Sequence, residues 1–355
     1  MQNFNCTGCN ARVDFENISC LACARALAFS PDMMSIVALD PNPKNPAERR
    51  LTAPPHAPVR YCGNWAHGAC NWLASPADAD GLCIACGMNR VIPNIASRER
   101  LQSWRDLELA KKRLIYSLLR LQLPFELAGT GSKRLTFDFA DGKMTGHKDG
   151  VITINPDEAD TVERERRRQW FDEPYRSLLG HMRHESGHFF WELLVSNTAN
   201  LDNFRKFFGD ERLDYKTSLA NYHHSGPAPN WHERHASAYA SAHPWEDWAE
   251  TWAHYLHMLS VLDTAEAEGI SPTSTQPSGN SDQPQGAIPA TAVTDVYRKG
   301  KFESLVNKWV PLTITMNALS RSMGHSDFYP FVTPPPVYEK LQFIHDIIRA
   351  RPQSI

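Results

Sequence analysis

A five-residue segment of this 355-residue chain carries two imidazoles and a carboxylate at a spacing that suits a metal ion: His184-Glu185-Ser186-Gly187-His188. On an α-helix, residues i and i+4 lie one above the other on one face. His184 and His188 can therefore direct ring nitrogens at a single zinc ion, about 2.0–2.1 Å from each. Glu185 is rotated away from that axis toward an open coordination position, where a carboxylate can hold a metal-bound water.

The residues around this segment predict that its helix is buried. Apolar side chains flank it at positions 178, 179, 182, 189, 190, 193 and 194. A buried His-Glu-His set without a partner would be costly, which favours a metal site over an exposed charged helix. Gly187 is a poor helix former, about 0.8–1.0 kcal/mol below Ala. We therefore expect another element to pack closely against Gly187.

A catalytic zinc needs a third protein ligand, and the best source is a second helix downstream. Glu246 and Glu250 are spaced i, i+4 among tryptophans. Two half-buried carboxylates on one face require a cation or a histidine. We assign Glu246 to the metal and Glu250 to a ligating imidazole. Asp247 is the competing ligand, and a salt-bridged helix is the alternative without a metal. His243 is predicted as the N-cap and Pro244 as the first residue of this helix.

The cysteines predict two further metal sites of a different kind. All eight lie before residue 87. Because the first residues do not have the pattern of a signal peptide, we expect metal knuckles and not disulfides. Four thiolates close a tetrahedral site, so both zinc ions should be structural. We prefer a sequential arrangement, in which each quartet binds its own zinc ion, to an interleaved arrangement, in which the two quartets share cysteines in a cross-braced module. His67 could replace one thiolate of the second site. The quartets are Cys6, Cys9, Cys20 and Cys23, with zinc-ribbon spacing, and Cys62, Cys70, Cys83 and Cys86.

Charge and hydropathy limit the classes of partner that we expect for this protein. The net charge is −3, and residues 1–96 carry seven basic and seven acidic side chains. Four thiolates around each zinc add negative charge, so the ribbon region is net acidic and nucleic acid is disfavoured. A structural brace or a protein-docking module is preferred. The apolar stretches are too short to span a membrane, and without a signal peptide we expect a cytoplasmic protein.

The elements that must position these residues follow from periodicity and turn residues. We predict a helix over 97–122 capped by Ser97, strands over 134–140 and 151–155, and helices over 161–170, 174–195 and 244–260. Residues 31–60 are interpreted as a loop and 221–235 as irregular. The domain prediction is a zinc-ribbon region at 1–96, a helical connector at 97–128 and a catalytic domain at 129–355, with a flexible insertion at about 269–290. Strand 151–155 could offer its edge to an extended peptide.

The two helical motifs together resemble a known family. His184 to His188, followed by the segment from His243 to His257 (HPWEDWAETWAHYLH) and the later DFYPF and PPV segments, is similar to bacterial zinc-binding metallopeptidases with an N-terminal zinc-ribbon region. More distantly, the pattern resembles gluzincins such as the thermolysin-like enzymes. The resemblance implies an α+β fold: a zincin-like (minimal gluzincin) catalytic domain, mostly helical with a small sheet, which is preceded in the sequence by small zinc-ribbon modules. It also implies two histidines and one glutamate on zinc.

The implied reaction is hydrolysis of a peptide or protein substrate by a zinc-activated water, with Glu185 as the general base. A second donor should stabilise the oxyanion, and His243, Tyr239 and Tyr329 are the candidates. The expected cofactors are one catalytic and two structural zinc ions. One alternative is an inactive zincin-like module whose ribbons dock a protein partner. The other is a metal-dependent hydrolase of a non-peptide amide.

Overall fold

The computed structural model describes residues 2–46, 48–76, 78–127, 133–170, 176–270 and 295–351. In these residues the chain forms a mixed fold of helices and small sheets, which confirms the predicted combination. From residue 271 onward, the insertion predicted at 269–290 lies outside the described residues. No helix in the described ranges is both long enough and apolar enough to cross a membrane.

The N-terminal region contains a two-stranded hairpin and a four-stranded antiparallel sheet. Interpreting residues 31–60 as a loop was therefore wrong. The run from Ile36 to Leu39 is buried on both faces of the sheet, whereas Pro41 and Pro58 lie at strand ends, where a missing N–H is tolerated. The strands are β1 (Phe4–Asn5), β2 (Arg12–Val13), β3 (Ala26–Ser30), β4 (Ser35–Pro41), β5 (Arg49–Leu51) and β6 (Pro58–Val59).

A second four-stranded sheet lies next to the helices, in the order β7-β8-β10-β9. Its strands are β7 (Asn89–Val91), β8 (Thr136–Phe139), β9 (Gly146–Lys148) and β10 (Val151–Ile154). β7 follows the second cysteine quartet directly and pairs in parallel with β8, so backbone hydrogen bonds join the cysteine region to the rest of the chain.

The strand at the free edge of this sheet is not the strand that was predicted to lie there. β10, the strand predicted at 151–155, pairs with β8 on one side and β9 on the other, so it has no free edge. The turn at Asp149 and Gly150, both with positive φ, folds β9 back along β10. β9 therefore forms the edge of the sheet and contacts the helix that carries His184 and His188.

Eight α-helices lie within the described residues. The Ser97 side chain accepts from Arg100 N–H, as predicted for the N-cap of α1. Residues 221–225 are helical, so the irregular prediction was wrong there. The helices are α1 (Arg98–Arg120), α2 (Thr161–Trp170), α3 (Leu178–Leu194), α4 (Leu201–Phe208), α5 (Tyr215–Ser225), α6 (Pro244–Ala267), α7 (Phe302–Ser322) and α8 (Pro335–Arg349).

Close packing of α3 against α6 holds the two motifs together. A Cβ on Gly187 would lie 2.9 Å from Ala249 Cα, which confirms the predicted reason for this glycine. Trp248 Nε1 donates to the Gly187 carbonyl at 2.8 Å, and Trp252 Nε1 donates to Ser186 Oγ at 3.1 Å. These contacts fix the separation of the two helices, and thus of the side chains that they direct toward each other.

Candidate metal centre

Three side chains from α3 and α6 bring their donor atoms together. One ligand atom each from His184, His188 and Glu246 lies within 4.8 Å of the others. His184 Nε2 is 3.0 Å from Glu246 Oε2, and His188 Nε2 is 3.7 Å from Glu246 Oε1. Ligands about 2.0–2.1 Å from a tetrahedral zinc would be about 3.3–3.4 Å apart, so the separations and the donor types fit a zinc ion.

Glu250 and Ser237 orient the first of these imidazoles. His184 Nδ1 donates to Glu250 Oε1 at 2.6 Å, which leaves Nε2 directed at Glu246. Ser237 Oγ donates to the other oxygen of Glu250, also at 2.6 Å. A ligating histidine commonly donates its second N–H to a carboxylate in this way. His188 is held differently, by packing of its ring against Trp245 at 4.0 Å.

The charges at this centre are strongly coupled. Burial alone would raise the pKa of Glu246, but the imidazoles of His188 and His184 outweigh it and lower that pKa to about 2. Burial lowers the pKa of His188 to about 3, so its imidazole is neutral, as a metal ligand must be. For His184, burial acts in the same direction, but hydrogen bonds to Glu246 and Glu250 raise its pKa above the ordinary value. A metal would replace that proton.

Glu185 lies beside these ligands but outside their hydrogen-bond network. It is 8% exposed, and burial raises the pKa of its carboxyl group to about 7, with nearby His184 opposing the shift. Such a carboxyl can take up and release a proton near neutral pH.

Three other predicted candidates have partners of their own. His243 is the N-cap of α6: Nδ1 accepts from Trp245 N–H and Nε2 donates to the Leu213 carbonyl, which leaves no ring nitrogen for an oxyanion. The Tyr329 hydroxyl lies 2.7 Å from His254 Nδ1, one helical turn beyond Glu250. Asp247, the competing ligand, instead accepts from Lys340 Nζ of α8 at 2.6 Å. In this structure the three side chains thus make a helix cap, a hydrogen bond to a histidine and a buried ion pair.

Two tyrosines flank the centre. The ring of Tyr239 is 5.9 Å from that of His184, so of the three predicted oxyanion donors it is the one beside a candidate ligand. Tyr215 donates to Glu246 Oε1 at 2.6 Å. Sequence reasoning missed Tyr215 and Ser237, since neither has a fixed spacing to the motifs.

The cysteines form two clusters with sequential pairing. Cys6 Sγ and Cys23 Sγ are 3.7 Å apart, and Cys70 Sγ and Cys83 Sγ are 3.6 Å apart. A tetrahedral zinc with bonds of about 2.3 Å has ligand separations of about 3.8 Å, whereas a disulfide needs about 2.05 Å. The clusters therefore have the dimensions of four-thiolate zinc sites, and His67 belongs to neither.

Fold and site together define a class: a mixed helical and sheet protein with two four-cysteine clusters and, on two packed helices, a His/His/Glu group that could hold a metal ion. The family model described as "Putative zinc-binding metallo-peptidase" matches residues 100–347, and a zinc-ribbon domain model matches residues 3–97. The chain belongs to this zinc-binding metallopeptidase family, which confirms the resemblance found in the sequence.

Full-length relatives exist in mycobacteria. Uncharacterized proteins of Mycobacterium bovis and Mycobacterium tuberculosis are 37% identical to this chain over 356 residues, which is 98% of this chain and 95% of each relative. The region of similarity therefore spans the positions of both cysteine clusters and of the His/His/Glu group. No solved structure matches the chain.

Proposed function

We propose that this protein is a zinc-dependent peptidase with a zincin-like catalytic domain of the gluzincin type. The observation that carries the proposal is the convergence of His184, His188 and Glu246, with the buried carboxyl of Glu185 beside them. Membership in a zinc-binding metallopeptidase family supports the same reaction class.

His184 Nε2, His188 Nε2 and one oxygen of Glu246 would hold the ion. When bound, zinc supplies Lewis acidity, which polarises a carbonyl and makes water a nucleophile near neutral pH. Glu185 then acts as the general base: its carboxylate takes the proton of the attacking water and delivers it to the leaving amine. The geometric basis is the i, i+1, i+4 spacing on α3, which sets Glu185 to one side of the two imidazoles.

Tyr239 is our proposed oxyanion donor. Burial raises the pKa of its hydroxyl well above the ordinary range, and the nearby Glu246 carboxylate adds to the shift. The phenol therefore keeps its proton and can donate it in a hydrogen bond to a developing oxyanion. The Tyr239 hydroxyl interacts with that of Tyr215 beside Glu246, whereas the polar atoms of His243 and Tyr329 are held by the cap of α6 and by His254.

The proposed substrate is an extended peptide paired with β9. This strand is the sheet edge next to α3, and it carries His147, whose ring is 6.1 Å from that of His188. A peptide added to this edge would lie beside the metal ligands, held by backbone hydrogen bonds. We assign the two remaining zinc ions to the cysteine clusters, which gives three zinc ions per chain.

Metal content and peptide hydrolysis, measured together, test this function. The parent should contain three zinc ions and cleave members of a broad peptide library, whereas His184→Ala should contain two and cleave none. Asp247→Asn is the matched control on α6: because Asp247 bonds to Lys340, the variant should keep the third zinc. An unchanged zinc content in His184→Ala would refute the proposed site.

A further inference from the structure

Tyr215 is the first residue of α5, and its hydroxyl donates to Glu246 Oε1 at 2.6 Å. Glu246 is 1% exposed and Tyr215 is half-buried, so the carboxylate that accepts this hydrogen bond is shielded from bulk water. The other carboxylate oxygen, Oε2, lies 3.0 Å from His184 Nε2. The two oxygens of Glu246 therefore have different surroundings: the phenol of Tyr215 holds Oε1, which is 3.7 Å from His188 Nε2, whereas Oε2 is the oxygen closer to a candidate ligand nitrogen and accepts nothing from Tyr215.

The position of Tyr215 is fixed by residues at the start of α6. α5 has no fully buried residue, and Tyr215 itself is half-buried. His243 Nε2 donates to the carbonyl of Leu213, two residues before Tyr215, at 3.1 Å. The Tyr215 ring lies edge-on to His243 and Trp245, with centroids 5.3 and 5.7 Å away. The N-cap of α6 thus anchors the residue that holds Glu246.

Ser237 makes a parallel contact at the other acidic side chain. Its hydroxyl donates to Glu250 Oε2, while Glu250 Oε1 accepts from His184 Nδ1. Each glutamate therefore has one oxygen bound by a hydroxyl and the other directed at His184. The difference is that Glu250 reaches the non-ligating nitrogen of the imidazole, whereas Glu246 faces the ligating one.

We propose that Tyr215 is a positioning residue of the metal centre, which holds Glu246 so that Oε2 alone is presented to the ion. The inference rests on the proposed function, because it takes Glu246 as a zinc ligand. Loss of a hydrogen bond to a ligating group typically lowers metal affinity about 10–100-fold. Tyr215 should therefore control the zinc affinity of this centre without touching either cysteine cluster.

The test is the zinc affinity of the third site in the full chain, with the thiolate sites already loaded. Zn²⁺ is titrated against a chromophoric chelator. Tyr215→Phe keeps the ring and its contacts with His243 and Trp245, but it should bind the third zinc about 10–100-fold more weakly than the parent. Tyr222→Phe, also on α5, is the matched control and should bind zinc like the parent. Urea unfolding of each variant without the third zinc shows whether the fold has changed.

The outcomes separate the two proposals. If Tyr215→Phe binds zinc like the parent while Glu246→Gln has lost it, Tyr215 does not position the ligand and the proposed site stands. If Glu246→Gln also binds the third zinc like the parent, the site assignment fails and the inference fails with it. Equal weakening in Tyr215→Phe and Tyr222→Phe, together with easier unfolding of both, would assign α5 a merely structural role and overturn the inference.

Discussion

The two cysteine clusters have the same ligands but very different surroundings. In the first cluster, Cys9 is exposed and Cys23 is half-buried, whereas every cysteine of the second is buried. Leu21, between the last two cysteines of the first cluster, is fully exposed. The C-x-x-C spacing thus identifies both sites as metal knuckles but does not indicate how deeply each one is buried.

Their neighbours explain the difference. Cys86 Sγ lies 3.6 Å from Glu108 of α1, and Lys111 Nζ lies 2.9 Å from the same carboxylate, with both side chains fully buried. Lys112 Nζ donates to the Ala69 carbonyl at 3.1 Å. All four cysteines of the second cluster therefore belong to the core that includes α1, whereas the first cluster contributes only Cys6 and Cys20 as buried members of that core. Docking of a protein partner on the ribbons stays a prediction, and the exposed first cluster suits it better.

The largest expected effect comes from removing one thiolate from each cluster. Cys83→Ser should unfold the chain, because the structural zinc at a buried four-thiolate site stabilises the folded state by several kcal/mol or more. Cys9→Ser should lose one zinc but keep a cooperative urea transition and the third metal site. Urea unfolding and zinc content of both variants check this contrast. Equal loss of folding in the two variants would show that both clusters are essential to the core.

We expect a smaller loss of stability when the buried cation beside the second cluster, Lys111, is removed. Lys111→Met leaves the Glu108 carboxylate buried and unpaired, which typically costs about 3–5 kcal/mol. Arg113→Met, also on α1, breaks the exposed pair with Glu16 and should cost at most about 1 kcal/mol. The free energies of unfolding in urea provide the comparison. Similar values for the two variants would contradict a distinct role for the buried pair.

The sequence predicted the parts of the site that depend on local spacing. His184, Glu185 and His188 lie on one helix, and His243 and Pro244 begin another as expected, because helical periodicity and capping are local properties. Tyr215 and Ser237 were missed, because their contacts depend on how α5 and the segment before α6 fold back on the centre. β9 was missed because it is only three residues long, Gly-His-Lys, and has no alternation of apolar and polar side chains that would predict a strand.

Two errors in the fold prediction have similar causes. The proline-rich composition of residues 31–60 concealed β4, whose buried apolar run is only four residues long. The free sheet edge was wrongly assigned to residues 151–155. The order of the strands depends on the Asp149-Gly150 turn, which places β9 on one side of β10, and on the pairing of β8 on the other side, and neither is evident from the sequence of the strand itself. The division at residues 96 and 128 stays a prediction. The β7–β8 pairing crosses both of these boundaries, because β7 lies before residue 96 and β8 after residue 128.

The central claim is that Glu185 acts as the base at a zinc site that it does not help to form. The most direct measurement is zinc content together with the hydrolysis rate of a peptide that the parent cleaves, in the Glu185→Gln variant. We predict three zinc ions per chain and a rate about 10²–10⁴-fold lower, because the amide cannot take the proton of the water. A variant that kept its zinc and cleaved the peptide as fast as the parent would contradict the account.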